Sequence, residues 1–387
     1  MLLLLAAQPT ALAAVRTARP RARRHAPPAP CIDAYTDAYI DAVQRATGHH
    51  AQLPASWASP CARPVRRTVT FRVPPNTIVG GFGDRLLGMV TVFYVALANG
   101  AAFGVVWETP YRLDAYFDLP CSMGPPAGAA TVHAVDMWEH FETRAWQQSL
   151  GDVVYHTNAR HWHGVVAAAA ADASPDNLVR ALRLHELDQA TLFKLAIDVI
   201  LGAPTPKLSR AAARALPQRG APIVGVQIRV GGHQPKFLDA ASRHTPESAA
   251  CFGPEAHRLC EALGGCGAVF LTTDSRDAAS MFKKSYARAC RRRCARILDT
   301  PGDVLHTDRT NATDVAGFAP ETLDALWTKS VLDWWLLFKR SDALVVSRSG
   351  FGETAGWASS AVGVRRLALQ AAGVTRCRFG DLTSNLL

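Results

Sequence analysis

The stretch that decides the fold is NTIVGGFGDRLLGM, residues 76–89. It follows a strand-like run, Val69–Val73, and leads into an apolar, helix-like run, Leu86–Leu97; a second apolar strand, Phe103–Trp107, comes next. Its three closely spaced glycines allow the backbone to turn tightly and to approach a ligand. A strand, a glycine loop, a helix and a strand in this order aim backbone N–H groups at an anion or a sugar hydroxyl.

Four residues of this loop are candidates for ligand contacts: Gly81, Gly83, Asp84 and Arg85. We expect Asp84 and Arg85 to lie in the first turn of the helix, at the mouth of a crevice. The alternative is a tight structural turn in which the aspartate only caps the helix. A glycine loop by itself does not decide between these two interpretations.

Strand-like and helix-like patterns alternate along most of the chain, which predicts parallel sheets. The sequence therefore predicts an α/β fold with two Rossmann-like, doubly wound domains, residues 66–205 and 206–387, facing a cleft. Residues 16–65 are rich in Pro, Ala and Arg and are predicted to be a stem or linker with a short helix at Ala34–Ala46. Other predicted helices span Asn177–Leu187, Pro246–Leu263 and Thr354–Ser360.

The chain carries a formal net charge of +10 over 387 residues, and this charge is spread out. The short cluster Arg291–Arg293 has no interleaved aromatic residues, which argues against a nucleic-acid groove. A basic balance suits a small polyanionic substrate such as a nucleoside diphosphate.

Residues 1–15 resemble the apolar core of a signal peptide and are too short for a spanning helix. Five arginines follow this run, which instead favours a short anchor that associates with the membrane. Nine cysteines indicate a secretory-pathway protein, in the Golgi or the ER lumen, with disulfide bonds. The sequon Asn311–Thr313 is compatible with this location, and the lack of a Cys-x-x-Cys pair argues against zinc.

Two further candidate sites follow predicted strands of the second domain, where open α/β sheets bind ligands. Arg229 ends the strand Ile223–Arg229, and its guanidinium fork suits a diphosphate. The alternative for Arg229 is a structural ion pair with a carboxylate. Asp274 follows the strand Ala268–Thr273; it suits a guanine edge or a ribose hydroxyl, or else caps the next helix.

A third candidate site is the turn from Ser347 to Gly352, which follows the predicted strand Ala343–Ser347. The hydroxyls of Ser347 and Ser349 and the backbone amides around Gly350 would form an anion-binding nest. The alternative is a plain serine-capped helix.

Taken in this order, the four motifs resemble the superfamily of α1,2-, α1,6- and protein O-fucosyltransferases. The motifs are GGFGDRLLG at 80–88, VGVQIRVGG at 224–232, LTTDS at 271–275 and SRSGFGETA at 347–355. The resemblance covers residues 66–372. It implies a GT-B fold and an inverting, metal-independent transfer of fucose from GDP-fucose to a glycan or a protein hydroxyl, without a resident cofactor.

The resemblance also implies roles for individual residues. Arg229 would neutralise the β-phosphate of the leaving group, and Asp274 would recognise the guanine or the ribose. The diphosphate would be held by Ser347, Ser349 and the amides near Gly350 and Phe351. Asp84 would bind the acceptor or accept its proton.

Two positions depart from the superfamily pattern. Gln227, a donor-site candidate, stands where the superfamily usually has His, and Gly232 stands where it often has Asp. These departures leave two alternatives open: a transferase for another nucleotide sugar, or a non-catalytic relative that binds nucleotides or carbohydrates.

Overall fold

The computed structural model describes fourteen stretches of the chain: residues 34–48, 53, 67–74, 80–109, 111–120, 128–133, 146, 151–173, 177–216, 220–231, 245–291, 294–302, 319–367 and 377–382. The predicted leader at 1–15 and the sequon at 311–313 lie outside these residues.

The first sheet is parallel and is built from strands near the start of the chain. Its strands are β1 (Thr68–Val73), β2 (Ala102–Trp107), β4 (Ala130–His133) and β5 (Val153–His156), in the order β2-β1-β5-β4. A separate antiparallel pair joins β3 (Phe117–Asp118) to β6 (Ala203–Pro204). The strands predicted at Val69–Val73 and Phe103–Trp107 are present as β1 and β2, each with one further residue at its start.

We call residues 34–216 the first half of the chain and residues 220–382 the second half. The helices of the first half surround a continuous apolar core. They are α1 (Ala34–Thr47), α2 (Phe82–Ala98), α3 (Trp162–Ala170), α4 (Leu178–Ala181), α5 (Gln189–Leu201) and α6 (Pro206–Ala215). The helix α2, which follows the glycine loop, is buried on nearly all sides from Phe82 to Leu97. A helix that is apolar all round belongs in the interior of a protein, and α2 is the centre of this half.

The second sheet has the strand order β12-β11-β10-β7-β8-β9. Its members are β7 (Ile223–Ile228), β8 (Ala268–Thr273), β9 (Arg296–Leu298), β10 (Ala343–Val346), β11 (Val364–Leu367) and β12 (Phe379–Asp381). All neighbours pair in parallel except β12, which is antiparallel to β11.

Both faces of the second sheet are buried, as a doubly wound sheet requires. One face packs with the helices α7 (Phe252–Ala262) and α8 (Arg276–Cys290). The other face packs with α9 (Pro320–Arg340) and α10 (Gly350–Ala358) and shares its apolar core with the first sheet. The predicted α/β class with parallel, doubly wound sheets is confirmed, and the domain boundary at residues 205 and 206 stays a prediction.

Four predicted elements differ from the structure. The helix predicted at Ala34–Ala46 is present as α1, but this part of the predicted linker belongs to the core: Tyr35 and Tyr39 are buried and pack edge-on against Phe103 and Phe93. The predicted helix 177–187 is interrupted at Arg183, where φ is 54°. The predicted helix 246–263 begins with the 3-10 turn Pro246–Cys251. The helix predicted to begin at Thr354 begins at Gly350, because Ser349 is its N-cap and accepts the N–H of Gly352.

The N-termini of α2 and α10 are packed directly against each other. A Cβ atom at Gly83 would lie closer than 3.0 Å to backbone atoms of Gly350 and Phe351. Beside this contact the Phe82 ring meets Trp327 and Trp334 edge-on, with both ring centroids at 5.5 Å. Glycine at position 83 therefore permits the two glycine-rich turns, one from each half of the chain, to touch.

Gly83→Ala should lower the free energy of unfolding by about 1–3 kcal/mol, because the added methyl group overpacks a contact made by backbone atoms. Gly151→Ala is the matched control, since a Cβ there would meet nothing within 4 Å. Urea unfolding of both variants measures the difference. An unchanged midpoint for Gly83→Ala would show that the two helix ends are not in contact.

Candidate functional site

The strand order brings the candidate residues of the second half to one edge of the sheet. β10, β7 and β8 are adjacent and parallel, so their carboxyl ends open on the same side. Arg229, Asp274 and the Ser347 turn follow these three strands. Since neighbouring strands lie about 4.8 Å apart, the three candidate sites form one continuous site.

Arg229 and Asp274 form an ion pair at this edge. Nη1 of Arg229 lies 3.0 Å from Oδ2 of Asp274, and the two side chains are 13% and 3% exposed. The same carboxylate accepts N–H groups from Val230 at 2.9 Å and from Gly231 at 3.1 Å. The carboxylate thus fixes the loop that leaves β7 and holds the arginine at the same time.

These contacts favour the structural alternative for Arg229, an ion pair with a carboxylate, but not the one for Asp274, because another residue caps the next helix. Arg229 is paired with a carboxylate, and the helix after β8 is capped by Ser275, whose Oγ accepts the N–H of Ala278 at 3.2 Å. A contact of Asp274 with guanine or ribose, and of Arg229 with a phosphate, stay predictions.

Gln227, Ser347 and Ser349 form a buried hydrogen-bonded group beside the ion pair. Oε1 of Gln227 accepts the hydroxyl of Ser347 at 2.9 Å and that of Ser349 at 3.3 Å. Ser347 Oγ in turn accepts the backbone N–H of Arg229 at 2.8 Å, and Ser349 Oγ accepts the N–H of Gly352 at 3.1 Å, which caps α10. The two serine hydroxyls therefore bond within the protein, and their predicted contacts with a diphosphate stay predictions.

The unusual glutamine fits this chain because of a nearby glycine. A Cβ atom at Gly352 would lie closer than 3.0 Å to Oε1 of Gln227. The absence of a side chain at Gly352 thus makes room for the carboxamide of Gln227.

The glycine loop of the first half is held from inside by its own side chains. Gly80 has φ of +73°, a conformation that favours glycine. Oδ2 of Asp84 accepts the N–H of Gly81 at 3.1 Å, so the carboxylate caps α2. A Cβ at Gly350 would lie closer than 3.0 Å to Oδ1 of Asp84, which places this carboxylate between the N-termini of α2 and α10.

Arg85 is 2% exposed and belongs to the scaffold of the loop. Its Nε donates to the carbonyl of Gly80 at 2.9 Å and its Nη1 to the carbonyl of Thr109 at 2.6 Å. The guanidinium also lies 5.6 Å from the ring centroid of Trp107. These bonds tie the loop to the end of β2, whereas the sequence predicted a ligand contact for Arg85.

Sequence reasoning missed a group of charges beside α10. Glu353 is 5% exposed and pairs with Arg160 at 3.1 Å and with Arg366 at 2.9 Å. Arg160 follows β5 of the first sheet, while Arg366 lies in β11 of the second. No motif surrounds either arginine, and only the fold brings them together.

It also missed a buried network that supports the ends of β8 and β9. Asp333, in α9, is 1% exposed and accepts hydrogen bonds from Thr272 at 2.8 Å, from Thr300, and from Lys329 at 3.0 Å. Burial raises the pKa of the Asp333 carboxyl, while Lys329 and the two hydroxyls act in the opposite direction. The network anchors Thr272, two residues before Asp274.

The architecture can be compared with solved structures. A mutant of Arabidopsis thaliana FUT1 in complex with GDP superimposes with a TM-score of 0.55 and is 14% identical, over 89% of this chain and 78% of that chain.

The chain has a fucosyltransferase fold.

The fold resemblance predicted from the four motifs is thereby confirmed. Two other solved structures have lower scores. Fucosyltransferase NodZ from Bradyrhizobium gives a TM-score of 0.42 at 14% identity, over 82% of this chain and 99% of that chain. POFUT1 in complex with GDP gives 0.39 at 10% identity, over 77% and 97%. No family model and no curated protein sequence matches the chain.

Among the described residues, no helix combines the length and the apolar character that crossing a membrane requires. Three disulfide bonds join described cysteines: Cys251–Cys377, Cys260–Cys266 and Cys290–Cys294. The disulfide bonds expected from the cysteine content are therefore present.

Asp274→Asn should lower the free energy of unfolding by about 3 kcal/mol, because it removes one partner of a buried ion pair and leaves Arg229 without its countercharge. Asp277→Asn, an exposed carboxylate in the first turn of α8, should cost less than about 1 kcal/mol. Thermal and urea unfolding measure both changes. Equal effects of the two substitutions would contradict the structural role assigned to Asp274.

Proposed function

We propose that the chain is an inverting glycosyltransferase that transfers fucose from GDP-fucose to a hydroxyl group of a glycan or a glycoprotein. The observation that carries this proposal is Arg229, which is held at the carboxyl edge of the second sheet of a fucosyltransferase fold by Asp274 and by the hydroxyl of Ser347. The Arabidopsis structure contains GDP, which supports a guanine nucleotide donor.

The electrostatics of the edge suit a leaving diphosphate. The N-termini of α2 and α10 abut at Gly83 and Gly350, and each helix end carries a partial positive charge. The guanidinium of Arg229 adds a full charge and a planar pair of donors. An anion bound beside the helix ends and in contact with Arg229 would be stabilised by these charges, so we propose a metal-independent reaction without a cofactor.

In the proposed reaction the acceptor oxygen attacks the anomeric carbon from the face opposite the diphosphate. The bond from that carbon to the phosphate oxygen breaks, and negative charge builds on the leaving group. Preorganised donors such as the Arg229 guanidinium and the amides of Gly350 and Phe351 would stabilise this charge, and losing one such donor costs about 10²–10³ in rate.

The proton of the acceptor hydroxyl needs a base, and Asp84 is the residue of the glycine loop that can supply one. Its carboxylate already accepts the Gly81 N–H, so general-base catalysis would use the remaining lone pairs. Proton transfer to a positioned carboxylate contributes about 10²–10⁴ in rate.

A second candidate function is nucleotide or carbohydrate binding without transfer. The observation that favours it is Gln227, whose carbonyl oxygen is occupied by two serine hydroxyls at the position where the superfamily usually has His. A transferase that uses another nucleotide sugar is the remaining alternative. For either function we propose the lumen of the secretory pathway, in the Golgi or ER, supported by the three disulfide bonds.

GDP should raise the melting temperature of the unaltered chain in the presence of EDTA, and guanosine should not. Arg229→Lys should weaken GDP binding and reduce fucose transfer at least 100-fold, because lysine keeps the charge beside Asp274 but loses the fork. Arg210→Gln, an exposed arginine of α6, is the control for loss of a positive charge elsewhere.

Stabilisation by UDP or ADP in place of GDP would contradict the proposed donor. GDP binding without turnover would favour the non-catalytic alternative. Activity that EDTA removes and manganese restores would contradict the metal-independent mechanism.

Asp84→Asn distinguishes a base from a cap. The amide oxygen of asparagine can still accept the N–H of Gly81, so a residue that only caps the helix would leave the rate nearly unchanged. A general base would lose about 10²–10⁴ in kcat with little change in GDP affinity. Turnover with GDP-fucose, measured together with the melting temperature, separates these outcomes; weaker GDP binding would instead show that the glycine loop contacts the donor.

A further inference from the structure

A second group of arginines lies at the same edge of the second sheet as Arg229. We call Arg160, Arg348 and Arg366, together with Glu353, the arginine cluster. Arg160 Nη1 lies 3.1 Å from Glu353 Oε2, and Arg366 Nη1 lies 2.9 Å from Glu353 Oε1. Arg348 belongs to the exposed surface of the turn that leads into α10.

The charges of the cluster do not balance. Both oxygens of Glu353 are already paired with Arg160 and Arg366, so this single carboxylate is shared by two guanidinium groups, which stay protonated in proteins. Burial lowers the pKa of the Arg160 guanidinium; Glu353 opposes this shift, and the charges of Arg366 and Arg348 add to it. The described part of the chain offers Arg348 no ion-pair partner.

The guanidinium groups remain accessible although their carboxylate is buried. The side chains of Arg160 and Arg366 are 31% and 23% exposed, whereas that of Glu353 is 7% exposed. The Arg160 guanidinium is also fixed over the ring of Trp357, 4.1 Å from its centroid. Each arginine has five N–H donors, so the bonds to Glu353 leave donors that can face a ligand.

The position of the cluster relates it to the proposed donor site. Arg366, in β11, pairs in register with Val346, and Val346 pairs with Gln227. Arg348 and Arg229 follow β10 and β7, so the three arginines belong to three adjacent strands. β11 and β7 are separated by two strand spacings, which is about 10 Å. Arg160 reaches these three arginines from the first half of the chain, next to α3.

We propose that the arginine cluster binds a second oxyanion, separate from the group held by Arg229. The proposal rests on the proposed function and adds to it that the donor or the acceptor carries a second anionic group which the chain binds. That group is either a phosphate of the nucleotide sugar that reaches past Arg229, or the carboxylate or sulfate of an acidic acceptor glycan. In both cases planar guanidinium donors bind the oxygens of the anion.

The test is isothermal titration calorimetry on the full chain with three probes: GDP, inorganic pyrophosphate and methyl glucuronide. Arg348→Gln and Arg366→Gln should each weaken binding of at least one of these anions about 10-fold, because hydrogen bonds between charged groups are among the strong ones. Arg210→Gln removes the same charge from an exposed position on α6 and should leave all affinities within about 2-fold. Arg348 is exposed, so its substitution leaves the core intact.

The probes separate the two sources of the anion. Loss of affinity for GDP and pyrophosphate supports a donor phosphate in the cluster, and loss of affinity for methyl glucuronide alone supports an acidic acceptor. If Arg348→Gln, Arg366→Gln and Arg210→Gln bind all three probes with equal affinity, the proposal is overturned and the ion pairs of Glu353 are purely structural. The proposed function would survive this result if Arg229→Lys still weakens GDP binding. Cluster-dependent binding of pyrophosphate without any binding of GDP supports the cluster and contradicts the proposed donor.

Discussion

The constraint on which the rest of this structure depends is the direct contact between two helix N-termini, at Gly83 and Gly350. Two such ends repel each other because both carry partial positive charge. The carboxylate of Asp84 lies between them, accepts the N–H of Gly81 and faces Gly350, and so offsets the repulsion. A loop from the first sheet and a turn from the second are thereby joined at the place where the candidate site lies.

From that contact the organisation of the second sheet edge follows step by step. Ser349 caps α10 and bonds Gln227; Gln227 bonds Ser347; and Ser347 accepts the N–H of Arg229. Asp274 closes the series from the neighbouring strand. A change at any member therefore reaches the arginine through hydrogen bonds between buried groups, which are costly to leave unmade.

The fold could be predicted from the sequence because its signals are local. Apolar runs marked the strands β1, β2, β7, β8 and β10 but not the short β11 and β12, and glycine and serine turns marked carboxyl ends of these strands. The partners of the marked residues could not be predicted, since Arg160, Asp333 and Glu353 meet their partners only through tertiary packing. Arg85 shows the limit clearly: its position in the loop was predicted correctly, but no pattern indicates that its guanidinium points inward to the carbonyl of Thr109.

Arg160, Arg229 and Arg366 are already paired with carboxylates of the chain, so a ligand that binds them must weaken an existing ion pair. Arg229 can turn one of its N–H donors from Asp274 to a phosphate. The buried carboxylate of Asp274 then still accepts two backbone N–H groups, those of Val230 and Gly231, and is not left unsatisfied. Glu353 is likewise shared between two arginines. At Arg229 such an exchange favours a ligand of higher charge than the single carboxylate of Asp274, because only a stronger attraction outweighs the ion pair that it weakens. A diphosphate meets this condition, and a neutral sugar does not.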